Sequence, residues 1–519
     1  MINPKLSGIV YVTAAAAMVS ACGADNVASP GDGNIVVVAP PAAVTPPPPP
    51  PPAATGPAAD CPTGFTNAGV IANLRNCQLS GRINSNLNIA KRAGTIYSLS
   101  GRVDVGTDIG GDGTAAGGTQ VTLSIDPGVV VFGESDLSFL VVNRGSKLQA
   151  VGTRTSPIIF TGRRNVEGNV TNDSQALWGG IVMLGRAPIS DCLGGAVGGA
   201  ANCQQQFEGS ADALYGGAVA TDNSGTLQYV QIRYAGFELS PGKEINGLTL
   251  SGVGSGTSLD HIQVHNSSDD GIEWFGGRAS AKYLVLTGND DDNLDTDLGA
   301  KIGLQYVIVV QRAGGNSGDA IIEADSNGNE DATPRQDTRL ANFTFIHRST
   351  LASSANAILL RGGTDYKMAN GVVVSPRTCL DIDATGNTTM QAADATKDDL
   401  GPPEFRSVLF ACTAGAFQND GNVAVADIQT LFNTAGNNNN AAFTATLTGV
   451  FTNGTGENGA TAYNATAFNA AHLGTFRFDA TTYVGAVKDA ADTWYRGWTC
   501  DSATADFGTG ASCLSIPTA

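Results

Sequence analysis

The block "HNSSDDGIEWFGG" (265–277) is followed 22 positions later by "TGNDDDNLDTDLG" (287–299), and the two align carboxylate over carboxylate. Asp269 and Asp270 fall over Asp291 and Asp292, and Glu273 over Asp295. Asp319, in "GDAIIEAD", extends the Asp270–Asp292 series, with Asn356 beyond it. Stacked carboxylates repel, so such a block demands a cation, bound protons or hydrogen-bond donors. Three chemistries compete. In the first, Asp and Asn are corner residues that accept backbone N–H groups where strands turn. In the second, Asp269, Asp270, Glu273, Asp291, Asp292, Asp295 and Asp319 offer oxygens to Ca²⁺, an ion that tolerates loose geometry. In the third, two carboxylates about 5 Å apart serve a retaining glycosidase, or a Ca²⁺ site beside an Arg or Lys base serves a lyase elimination. Arg278, Lys282 and Lys301 are close in sequence but outside the repeat register. The third reading therefore ranks last, and the chain leans away from being an enzyme.

The elements that must position these residues show in a longer self-similarity. "LQYVQIRYAG" (227) returns as "LQYVIVVQRAG" (304), with "LDHIQVHNSS" (259), "AKYLVLTGND" (281), "LANFTFIHRS" (340), "YKMANGVVVS" (366) and "EFRSVLFACT" (404) on the same plan. One apolar column runs Val230, Ile262, Leu284, Val307, Phe343, Gly371 and Val408. A second, two residues on, runs Ile232, Val264, Leu286, Val309, Phe345, Val373 and Phe410. Alternation with period two means strands with one buried face. No segment can be stable alone, so stacked copies must build one core. The expected fold is all-β, a right-handed single-stranded parallel β-helix, a solenoid with capped ends. In it residues 22 apart stack about 4.8 Å from each other. Glu273 and Asp295 then face outward, since Ile272 and Leu294 face in.

The N-terminus reads "MINPKLSGIVYVTAAAAMVSAC", one lysine and a short apolar stretch closing on small residues. That is a secretory signal rather than a membrane span, and Val19-Ser20-Ala21-Cys22 resembles a bacterial lipobox with Cys22 as the lipidated residue. Residues 1–21 are thus expected to be a lipoprotein signal peptide. Residues 22–60, with seven consecutive prolines (Pro46–Pro52), are expected to be an extended spacer. Residues 61–119 are expected to cap the solenoid, 120–415 to form it, and 416–519 to supply irregular terminal rungs and a C-terminal cap. "VADIQTLFN" (425–433) reads as a short helix within the last part.

Eight further cysteines, Cys61, Cys77, Cys192, Cys203, Cys379, Cys412, Cys500 and Cys513, suit disulfides in an exported chain. Neighbour pairing is the simplest of the 105 connectivities. With no CxxC and only four histidines, a His/Cys metal centre is not expected. His261 and His265 share a strand with Gln263 and read as a solvated face. Trp494, Tyr495 and Trp498 read as packing over a solenoid end. A net charge of −18 argues against nucleic acid and for cations or basic surfaces.

"IDPGVVVFG", "GSKLQAVGTRTSPIIFTG", "WGGIVMLGRAPI", "DDGIEWFGG", "DDNLDTDLG" and "YVGAVKDAADTWYRGWT" occur in this order. They resemble bacterial surface lipoproteins with a pectate-lyase-like β-helix, often encoded beside TonB-dependent receptors. The resemblance spans about residues 79–500, outside the proline spacer, and its motifs do not contain the cysteines. It implies lipid anchoring at the outer membrane or cell surface. It also implies a non-catalytic role binding or presenting a ligand, such as a glycan, as accessory to a TonB-dependent receptor. The alternative is a Ca²⁺-dependent polysaccharide lyase or glycosidase of the β-helix class.

Overall fold

The computed structural model describes residues 56–517, apart from 209, 241, 315–318, 327, 351–355, 384, 420 and 421. The signal peptide, Cys22 and nearly all of the spacer lie outside the described residues.

One turn of the chain shows how the sequence builds the fold. Ala281–Thr287 pairs in parallel with Ser258–His265 before it and Lys301–Val310 after it. The chain then turns at Asp292, runs through Leu294–Asp297, and turns again at Leu298 and Gly299, both at positive φ. The long strand itself bends at Tyr283, whose φ is 60°. Its first half, its second half and the short strand therefore make three parallel sheets, one strand per turn in each. This is the parallel β-helix expected, and both apolar columns are found in register down its interior. Val230, Ile262, Leu284, Val307, Phe343, Gly371 and Val408 pair in that order, and so do Ile232 through Phe410. Gly371 interrupts the column for a steric reason: a Cβ there would lie 1.9 Å from the Phe343 ring.

The bend position repeats as Tyr229, His261, Tyr283, Tyr306, Asn342, Asn370 and Ser407, all in the left-handed region. Non-glycine residues seldom adopt it, so something must hold them there. The four rings stack with centroids 4.4, 4.3 and 4.8 Å apart. Asn342 and Asn370 bond through their side chains instead.

Two boundaries differ from the sequence reading. Parallel stacking begins well before residue 120, because Leu74–Ile83 already pairs with Thr95–Val105. Thr66–Ile71, antiparallel to Leu74–Ile83, covers the exposed edge. The glycine-rich loop near 106–118 had hidden that continuity. The C-terminal hundred residues also do more than close an end. The helix Val425–Phe432 lays Phe432 over Phe405, Phe410 and Phe417, and Asn439 and Asn440 pair with the last long strand.

The chain then runs back along the outside of the solenoid. The outward residues of the second sheet there are apolar (Val285, Ile308, Val310 and Ile346), and Phe451, Val487, Tyr495 and Trp498 cover them. Burying each such side chain contributes about 1.5–3 kcal/mol, so this face is a second core. Trp498 is fully buried against that side face and not over an end, which corrects the sequence expectation. By its last residues the tail has reached the first turns. The Cys513 carbonyl accepts from Asn165 and Arg233, and Ile516 packs beside Ile96 and Val130.

Four disulfides join neighbours: Cys61–Cys77, Cys192–Cys203, Cys379–Cys412 and Cys500–Cys513.

Candidate functional site: an acidic cleft on the short-strand sheet

The short strands Leu248–Ser251, Ile272–Phe275, Leu294–Asp297 and Ile322–Ala324 stack in register. Their inward residues Ile272, Leu294 and Ile322 join the core. Period two then turns Thr249, Glu273, Asp295 and Glu323 outward as one column, with Asp297 two residues beyond Asp295. Two excursions rise beside this sheet. One contains the Cys192–Cys203 staple and the hairpin Gln205–Phe207/Ser210–Tyr215, and the other is the hairpin Phe237–Ser240/Lys243–Ile245.

These walls enclose a cleft of about 550 Å³. Nine carboxylates line it: Asp191, Glu208, Glu244, Asp269, Asp270, Glu273, Asp291, Asp295 and Asp297. Lys243 is the one cation in the lining, and it lies 3.1 Å from Glu208. Among the described residues Asp269, Asp270, Glu273, Asp291, Asp295 and Asp297 form no ion pair. Further along the column, by contrast, Arg361 pairs with Glu323 and with Asp325. The acidic column is thus neutralised by the protein at one end only.

The corner aspartates have a different task. Asp270 Oδ1 accepts the backbone N–H of Asp292 at 2.9 Å, and Asp292 Oδ1 accepts that of Ala320 at 2.7 Å. Asp270's own N–H donates to Asn246 Oδ1. Here a carboxylate or amide of each turn satisfies a backbone donor of the next. The sequence alignment had put Asp319 in this ladder. The register places Ala320 there instead, since Leu294 pairs with Ile322, and Asp319 falls beside Asp291 in the neighbouring outer column. The one-residue slip arose because the loop before "DAIIEAD" offers no internal marker of register.

Electrostatics separate the cleft from an ordinary acidic surface. Burial, then the charges of neighbouring carboxylates, pushes Asp269, Asp270, Glu273, Asp292 and Asp295 well above the usual carboxylate range. Asp291 at the mouth is raised to about 6 and Asp297 to about 7, burial again leading. Two groups bring single oxygens within 4.8 Å of one another: Asp269/Asp270/Asp291 and Asp270/Glu273/Asp295. Hard oxygens at that density suit a divalent cation such as Ca²⁺. They equally satisfy the spacing of a carboxylate pair for glycoside cleavage.

Sequence reading missed part of the lining. Asp297, and Glu323 further along the acidic column outside the lining, follow from alternation and register and could have been found. Asp191, Glu208, Tyr215 and Glu244 come from excursions between turns, where no repeat points to them. His261 and His265 are not on a solvated face. His265 is fully buried, its Nδ1 2.9 Å from Thr287 Oγ1, and burial lowers its pKa to about 3. His261 is a rung of the ring stack.

No curated protein and no solved structure matches this chain. A family model does, over residues 108–499, which is most of the solenoid and much of the returning tail. The chain belongs to the family of pectate-lyase-like β-helix domains.

Proposed function

We propose that this protein is a lipid-anchored surface scaffold that binds Ca²⁺ in the acidic cleft and uses the loaded cleft to hold or present a ligand. The supporting observation is the imbalance of charge: nine carboxylates against one lysine in a single walled cleft. Holding so many anions in a partly desolvated space is costly unless a cation compensates them. Export, an anchor at Cys22 and a proline spacer suit a protein that works away from the bilayer. The resemblance to surface lipoproteins supports an accessory role beside a TonB-dependent receptor.

Calcium titration followed by melting tests the cation. An ion that binds only the folded state adds about 2.7 kcal/mol at a hundredfold excess over Kd. A melting curve indifferent to both Ca²⁺ and chelator would end this reading. Co-purification with an outer-membrane barrel tests the partnership, and absence of any barrel counts against it.

A second reading is a Ca²⁺-dependent polysaccharide lyase or glycosidase. It is favoured by one observation, the close approach of Glu273 and Asp295 oxygens on adjacent turns. New reducing or unsaturated ends from a panel of acidic glycans would select it over the scaffold.

A further inference from the structure

Two features of the cleft call for more than one ion. Asp270 belongs to both close groups of oxygens, one opening to the mouth through the exposed Asp291, the other reaching inward to Glu273 and Asp295. With all five carboxylates ionised, one divalent ion leaves three negative charges uncompensated, whereas two ions leave one. A cleft of about 550 Å³ has room for both, since a water occupies about 30 Å³ of liquid.

The inner group carries an independent sign of a ligand. Tyr215 is 2% exposed and lines the cleft, yet its hydroxyl has no hydrogen-bond partner among the described residues. The carboxylates acting on that hydroxyl are Asp297, Glu273, Glu208 and Asp191, all lining residues, so it faces the cavity and not the protein. Asp295 Oδ1 is closed to solvent with no hydrogen-bond partner among the described residues. Buried polar groups are nearly always satisfied, so a buried oxygen without a partner, in the same cavity that the Tyr215 hydroxyl faces, marks where a ligand supplies the missing contacts.

We propose that the cleft holds a pair of divalent cations sharing Asp270: an inner ion on Asp270, Glu273 and Asp295 beneath the Tyr215 hydroxyl, and an outer ion on Asp269, Asp270 and Asp291. This rests on the Ca²⁺ reading above and adds a second site to it. The two ions differ in role. The inner one is enclosed and exchanges slowly, while the outer one sits at the mouth and exchanges with solvent.

Equilibrium dialysis of the purified protein against Ca²⁺ tests the pair by counting ions. The expected result is two ions per chain, one ion in Asp291→Asn, one in Asp295→Asn and none in the double variant. Tyr215→Phe should weaken only the ion that Asp291→Asn retains. A cooperative melt in chelator, at or above the temperature of the parent protein, certifies that each variant is folded. One ion in the parent protein, or loss of all binding in either single variant, overturns the pair while leaving a Ca²⁺ site. No bound ion overturns the Ca²⁺ reading itself.

Discussion

Asp270 and Asp292 are joined through the backbone: a carboxylate oxygen of the first accepts the N–H of the second, one turn further along the solenoid. The same residue that borders the cleft therefore also fixes the spacing of the turns beneath it. One side chain thus divides its work between the lining of the cleft and the ladder of backbone contacts.

That division gives the first prediction. Asp292→Asn keeps a carbonyl for the Ala320 N–H and should change stability little. Asp292→Ala removes the acceptor and leaves a buried donor unpaired, which costs about 1–3 kcal/mol. Urea melts of the two variants, compared in chelator so that no cation contributes, check this difference.

Protons and calcium should compete in the cleft. Asp291 and Asp297 titrate near 6 and 7, against about 3.9 in an unfolded chain. Without a cation, stability is fully present below pH 4 as far as these groups go, and is lost as pH rises through 6 and 7. Calcium compensates their ionised forms, so the rise in melting temperature on adding Ca²⁺ should be larger at pH 8 than at pH 5. Measuring the difference with and without Ca²⁺ cancels groups such as His265, which titrate the same way in both.

The returning tail should be a large term in stability. Trp498 is fully buried against the outward side of the second sheet, and Trp498→Ala should cost about 3–5 kcal/mol. Cys500 and Cys513 close a loop near the same place. Replacing both by serine should cost about 3 kcal/mol by loop entropy and loosen the Cys513 carbonyl from Asn165 and Arg233. Hydrogen exchange should then show residues 499–516 opening before the solenoid does.

Anchoring can be tested directly. Cys22→Ser should abolish lipid labelling and release the protein from the membrane fraction, and an unchanged distribution would remove the lipobox.

The legible part of this molecule was whatever its own repetition recorded. Ile272 and Leu294 face in, and so Glu273 and Asp295 face out, in every copy of the turn, and alternation alone places them. The stacking of Val230 down to Val408 was equally readable because each turn repeats the last. Asp319 was misplaced by one residue for lack of such a record, since a loop of different length precedes it. Asp191, Glu208 and Glu244 lie in excursions with no counterpart in other turns, and only the folded chain brings them to Glu273. The tail was unreadable for the same reason: Trp498 meets Gln231 and Tyr229 across more than half of the sequence.

That last arrangement sets an order of events. Arg154 holds the carbonyls of Thr493 and Arg496, about 340 residues away along the chain. A solenoid otherwise assembles from neighbours and can grow as it emerges, but contacts of such sequence separation form late and slowly. Until the final residues have folded back, Val285, Ile308, Val310 and Ile346 stand bare along one flank. A growing chain therefore exposes this apolar strip until its last segment is made. Once sealed, unfolding should begin with the peeling of that strip, which makes its detachment the step that sets the lifetime of the native state.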